Sequence, residues 1–245
     1  MEIRISNLKK SFGTKTAVDI DNFSIQQGEI LGLVGNNGAG KTTLFRLMLD
    51  LLKADDGEIT YVPQQRDGAE EPAAPVNPAE SEEWKQFTGA YIDPSFLIDF
   101  LTPEEYFEFI GQISKMPKAE IQARLDSFAP LMAGEILGQK KYIRDFSAGN
   151  KQKIGIIAAL FNRPKIVVLD EPFNFLDPSS QNFLKKTISE YNRETGATVL
   201  ISSHNLQHTI EVSTRIALLE HGVIIKDLDN KDRCAEAQLE AYFNV

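Results

Sequence analysis

Nine consecutive residues, Gly35-Asn36-Asn37-Gly38-Ala39-Gly40-Lys41-Thr42-Thr43, have the types and spacing to hold a chain of phosphates. Glycines let the backbone curl so that successive N–H groups point at one anion. Lys41 adds a cation for β- and γ-phosphates, and the Thr42 hydroxyl is a hard oxygen ligand for Mg²⁺. The apolar run Ile30-Leu31-Gly32-Leu33-Val34 precedes the stretch and Leu44-Phe45-Arg46-Leu47-Met48-Leu49 follows it. That order reads as strand, glycine-rich turn and helix, the setting a P-loop requires. The helix start adds its own partial positive charge at the same place. A turn that merely ends a strand does not account for Lys-Thr at this spacing. The run therefore implies a nucleoside triphosphate bound through Asn36, Asn37, Gly38, Ala39, Gly40, Lys41, Thr42 and Thr43.

Three further stretches carry chemistry. Leu169-Asp170-Glu171-Pro172 ends an apolar run, so Asp170 can hold Mg²⁺ and Glu171 can polarise an attacking water. An Asp-Glu pair alone commonly marks a strand leaving the core; beside a P-loop it gains weight. Ser147 opens a predicted helix within Asp145-Phe146-Ser147-Ala148-Gly149-Asn150-Lys151-Gln152. It is an ordinary N-cap by itself, but a hydroxyl and backbone N–H groups at a helix start also suit an anion. Ser202-Ser203-His204 follows the next apolar strand, where His204 could reach a γ-phosphate.

The elements that must place these residues alternate as in an α/β chain. Residues 2–6 and 17–25 alternate apolar and polar side chains as half-buried strands do, around a turn-like 10–15 with Phe12 at its tip. Strands are expected at 58–62, 165–170, 197–202, 215–220 and 223–228, and helices at 118–130, 149–162, 178–195 and 205–213. Thr102-Pro103-Glu104-Glu105 has the composition of a capping box with Pro at the first helical position. Residues 63–81, rich in Pro, Ala and Glu, read as an exposed loop insertion. Residues 84–160 read as a mostly helical subdomain, dense in aromatics between Trp84 and Ile113 and inserted into one 1–245 domain.

Composition narrows the classes. The 245 residues are 42% hydrophobic and 25% charged, an ordinary globular balance. A net charge of −9 argues against a non-specific nucleic-acid binder, and no nucleic-acid partner is expected. The single cysteine, Cys234, excludes an intrachain disulfide and suits a reducing compartment. Met1-Glu2-Ile3-Arg4-Ile5-Ser6 lacks a signal-peptide core, and no stretch approaches the ~20 apolar residues of a membrane span. Work at a membrane would need spans from another chain.

The four stretches, in this order, resemble the nucleotide-binding subunit of ABC transporters over essentially the whole chain. Gly35–Thr43 is similar to Walker A, 167–171 to Walker B with its catalytic glutamate, 174–177 to the D-loop, and His204 to the switch histidine. The resemblance implies a P-loop NTPase core of ABC-ATPase type with an N-terminal antiparallel β-subdomain and an inserted α-helical subdomain. It implies ATP and Mg²⁺ as cofactors, catalytic roles for Glu171, His204 and Lys41, and Phe12 on adenine with Val18 nearby. Residues 146–150 stand where Leu-Ser-Gly-Gly-Gln belongs and keep only the serine and the second glycine. Counting back from Leu101-Thr102-Pro103-Glu104 places Asp93 at the Q-loop position as a further Mg²⁺ ligand, with Gln64 a decoy. The metal set is then Thr42, Asp170 and Asp93. A head-to-tail dimer is implied, with Ser147, Gly149 and Asn150 acting on the partner's ATP, together with a separate transmembrane permease that would hold this cytoplasmic chain on the inner face of the membrane. The wording of Gly89–Asp93 and Gly149–Gln152 is similar to exporter-type single cassettes. Two alternatives remain open at this point: a soluble ABC-type ATPase acting on nucleic acid or ribosomes, and a weakly hydrolysing nucleotide switch.

Overall fold

The computed structural model describes residues 1–63 and 74–243. Strands β1 (Glu2–Phe12) and β2 (Lys15–Ile25) form an antiparallel hairpin, closed at Gly13-Thr14 with Phe12 at its tip. Strand β4 (Asp56–Val62) pairs with the other side of β1, giving a three-stranded sheet in the order β2-β1-β4. Asn7 breaks the alternation of β1: at φ +50 it shifts the register against β4, so Ile3, Ile5 and Leu8 all point inward.

The second sheet has the order β5-β6-β7-β3-β8-β9. It comprises β5 (Thr88–Tyr91), β6 (Ile166–Asp170), β7 (Thr198–Ser203), β3 (Ile30–Val34), β8 (Arg215–Glu220) and β9 (Val223–Asp229). The first five are parallel and β9 closes the edge antiparallel to β8. Every residue of β3, β6 and β7 is buried, as strands covered on both faces must be. Helices α1 (Lys41–Met48), α2 (Pro103–Ile113), α3 (Lys118–Met132), α4 (Ala148–Leu160), α5 (Pro178–Thr195), α6 (Leu206–Val212) and α7 (Glu236–Phe243) complete the chain. The capping box at α2 forms: Glu105 N–H donates to Thr102 Oγ1, and Thr102 N–H to Glu105 Oε2 at 2.8 Å.

Two expectations about segments change in detail. Residues 88–91, inside the range read as helical, are an edge strand of the main sheet. Thr-Gly-Ala-Tyr is too short and too weakly apolar to announce a strand; parallel pairing with β6 and α4 packed against it make it one. Of the 63–81 segment, residues 64–73, Gln64 included, lie outside the described residues. Its far end is not loose: Val76 exchanges two 2.8 Å backbone hydrogen bonds with Tyr61, and Val76 and Pro78 are buried. Among the described residues no helix is long and apolar enough to cross a membrane.

Candidate active site

The P-loop joins the C-terminal end of β3 to the start of α1. Gly40 caps that helix at φ +113, and a Cβ there would lie 2.2 Å from the Ala17 carbonyl, so only glycine fits. No side chain caps α1, which leaves its first N–H groups directed at whatever the loop holds. Lys41 is buried and folds back on the loop, Nζ donating to Gly35 O at 2.6 Å and Asn36 O at 3.4 Å. Desolvation lowers its pKa below the ordinary lysine value, while Glu171 and Asp170 act in the opposite sense.

A cavity of about 310 Å³ opens on this loop, lined by Phe12, Lys15, Ala17, residues 37–43 and Glu171. The Phe12 ring is 52% exposed, with the Lys10 ammonium 5.7 Å from its centroid, so it can offer a face to a flat base. Asn36 borders a smaller cleft of about 150 Å³ beside Lys15, Glu220 and His221. Val18 does not belong to the cavity. It is fully buried in the core with Ile20, because successive strand residues face opposite ways, and Ala17 lines the site instead.

The other half stands at the ends of β6 and β7. Thr42 Oγ1 donates to Asp170 Oδ2 at 2.6 Å, and the Ser202 hydroxyl donates to the other oxygen of Asp170. Burial pushes the Asp170 carboxyl above the usual carboxylate range, against the pull of these two hydrogen bonds. Glu171 leaves the strand in the left-handed region, φ +47, and its N–H donates to Ser202 Oγ at 2.9 Å. Its carboxylate lies between two nitrogens: Oε2 is 2.8 Å from His204 Nδ1 and Oε1 is 3.8 Å from Lys41 Nζ. A hydroxyl facing a carboxylate is a hard oxygen pair suited to Mg²⁺. Among the described residues no group of three or more His, Cys, Asp or Glu forms a metal cage. That fits a cation which also relies on phosphates and water.

Ser147, Gly149 and Asn150 sit elsewhere. Ser147 is exposed and caps α4, accepting from Asn150 N–H at 3.2 Å, and none of the three borders the P-loop cavity. Gly149 packs on the turn before α5: a Cβ there would meet the Phe175 carbonyl at 2.6 Å. Asp93 follows β5, caps a short turn through Ser95 N–H at 2.8 Å, and lies 3.5 Å from the Arg46 guanidinium of α1. Lys15, Ala17, Arg46, Tyr91 and Gln152 join or support the site although none was singled out as a site residue, even where Tyr91 and Gln152 fall inside Gly89–Asp93 and Gly149–Gln152, since only the folded strands and helices bring them there. Ser202 stands inside the histidine stretch, and its role depends on β6 and β7 being neighbours.

A lysine and threonine on an uncapped helix start, an Asp-Glu pair two strands away and a histidine on the glutamate form the constellation of a P-loop ATPase. The ABC transporter profile matches residues 18–174. An uncharacterized ABC transporter ATP-binding protein of Synechocystis sp. is 32% identical over 205 residues, 83% of this chain and 54% of that protein. The chain thus spans about half of that relative. An uncharacterized ABC transporter ATP-binding protein of Methanocaldococcus jannaschii is 30% identical, covering 99% of this chain and 83% of its own. In fold, the chain is similar to the dimeric post-hydrolysis structure of an ATP-binding cassette bound to ADP and Pi. The TM-score is 0.77 at 21% identity, over 94% of this chain and 99% of that one. The chain belongs to the ABC transporter family, and its α/β fold with an antiparallel N-terminal sheet is the one the motifs imply.

Proposed function

We propose that the chain is the ATP-hydrolysing subunit of an exporter-type ABC transporter whose membrane-spanning permease is a separate chain. The observation that carries this reading is the Glu171 carboxylate, held between Lys41 and His204 at the edge of the P-loop cavity. In that position Glu171 orients the attacking water and accepts its proton. Lys41 and the loop amides stabilise charge on the transferring phosphoryl group, and His204 holds Glu171 and meets the γ-phosphate. Thr42 and Asp170 would hold Mg²⁺, which when bound would offset phosphate charge; Asp93 is a further candidate ligand.

That Ser147, Gly149 and Asn150 lie outside the cavity supports the reading that one chain has only half of each site. A second copy, arranged head to tail, supplies the other half. Its ATP-driven closure, and reopening after hydrolysis, move the permease at the cytoplasmic face. Of the aromatics near α2, Tyr91, Tyr106 and Phe107 are core, whereas Phe96, Phe100 and Phe109 are exposed and available to the permease. The net charge of −9 argues against a nucleic-acid role.

Glu171→Gln keeps the shape and removes the proton acceptor. The expected result is ATP bound at wild-type affinity, turnover reduced at least 10³-fold, and a dimer in ATP visible by size-exclusion light scattering. Wild-type turnover in this variant would remove Glu171 from the reaction.

A further inference from the structure

Glu171 has an unusual backbone for a residue that must aim a carboxylate. At φ +47 it pays steric strain, and both its main-chain groups are tied down by side chains. Ser202 takes the N–H, while the carbonyl accepts from Gln152 Nε2 at 3.0 Å as well as from Asn174 N–H at 3.2 Å across the turn. Gln152 lies on α4, five residues beyond Ser147, and is 3% exposed. Its amide oxygen accepts in turn from the Tyr91 hydroxyl at 2.8 Å, at the end of β5, itself 3% exposed.

We propose that Gln152, oriented by Tyr91, is a positioning residue for Glu171. The orientation follows from hydrogen-bond chemistry. If the amide turned over, its oxygen would face the Glu171 carbonyl, two acceptors against each other at a side chain that is 3% exposed. With Tyr91 O–H donating to Oε1, the NH₂ must face Glu171, and the left-handed peptide is fixed from the α4 side. The relay therefore joins the edge strand, the helix that begins at Ser147 and the carboxylate that orients water. It depends on the reading of Glu171 given above, but its parts are measurable separately.

Three variants test it in the full chain: Tyr91→Phe, Gln152→Met and the pair. Gln152→Met leaves the Tyr91 hydroxyl buried without its acceptor, so the melting temperature falls along with kcat. The double variant removes both polar partners and recovers most of the melting temperature. A positioning role predicts that its kcat stays about tenfold or more below wild type, with KM for ATP within twofold. It also predicts faster amide exchange at Glu171, Phe173 and Asn174 in both Gln152 variants, without nucleotide. Recovery of kcat together with melting temperature, or unchanged exchange at those amides, would overturn the proposal. Activity in Glu171→Gln would instead defeat the underlying reading, while the exchange result would still report on the relay.

Discussion

Phe175 shows how a single residue can be stable and ill-suited at once. It lies in the left-handed region at φ +63, with its ring 70% exposed and its carbonyl against Gly149. An L side chain there is strained by about 1–2 kcal/mol, and an exposed ring returns little through burial. Phe175→Gly should therefore raise stability by roughly 0.5–1 kcal/mol after the entropy of a freer unfolded chain is subtracted, as a urea midpoint shift would show. Gly40→Ala should do the reverse. Positive φ and a 2.2 Å approach to Ala17 O predict a loss of about 2 kcal/mol or more, and loss of ATP binding by calorimetry. Gly40 was legible as a site residue from its motif. The exposure and strain of Phe175 were not, because nothing local says that its carbonyl backs onto another helix.

At the scale of elements, α6 contains a pH-sensitive contact. His208 packs on Phe173, ring centroids 4.9 Å apart, and its Nδ1 is buried without a hydrogen-bond partner among the described residues. Burial, then the Lys185 ammonium, holds its pKa below 6.5, with Glu211 opposing and His204 adding to the effect. The unfolded chain then binds more protons than the folded one just below pH 6.5. Stability is complete above that pH and falls as pH drops through the folded value. His208→Phe should flatten this part of the profile, measured as the difference in urea midpoint between pH 7.5 and 5.5. The start of α2 was legible because its cap is local, Thr102 and Glu105; the start of α5 is fixed in the structure by Asp177, which accepts from Ser180 N–H. β5 was hidden because its four residues become a strand only through pairing with β6.

For the whole molecule, Arg215 links the two sheets. From β8 it donates to Asp227 at 2.7 and 2.6 Å, to Glu29 at 2.9 Å, and to the Ser24 carbonyl of β2 at 2.8 Å. The Asp227 bond, supported by Glu29 and opposed by burial, raises its pKa above the ordinary arginine value. Its side chain is 19% exposed, so loss of the network leaves two carboxylates and a carbonyl poorly paired. Arg215→Met should cost about 2–3 kcal/mol, a fall in melting temperature of roughly 4–10 °C by calorimetry. ATP binding should persist, since Arg215 borders a cleft lined by Gln27, Thr214 and Lys231, not the P-loop cavity.

By itself the sequence determined the P-loop, the Asp-Glu pair, the histidine stretch and the order that ties them to one family, because each is written in consecutive residues whose chemistry is local. Tertiary structure alone decided that Ala17 and not Val18 lines the cavity, and that Lys15 reaches the same space. It also decided that Tyr91, Gln152 and Glu171, from β5, α4 and the end of β6, form one hydrogen-bonded line, buried at Tyr91 and Gln152. Those facts depend on which strands neighbour one another and which way each pleat turns, and neither is encoded in any short run of residues.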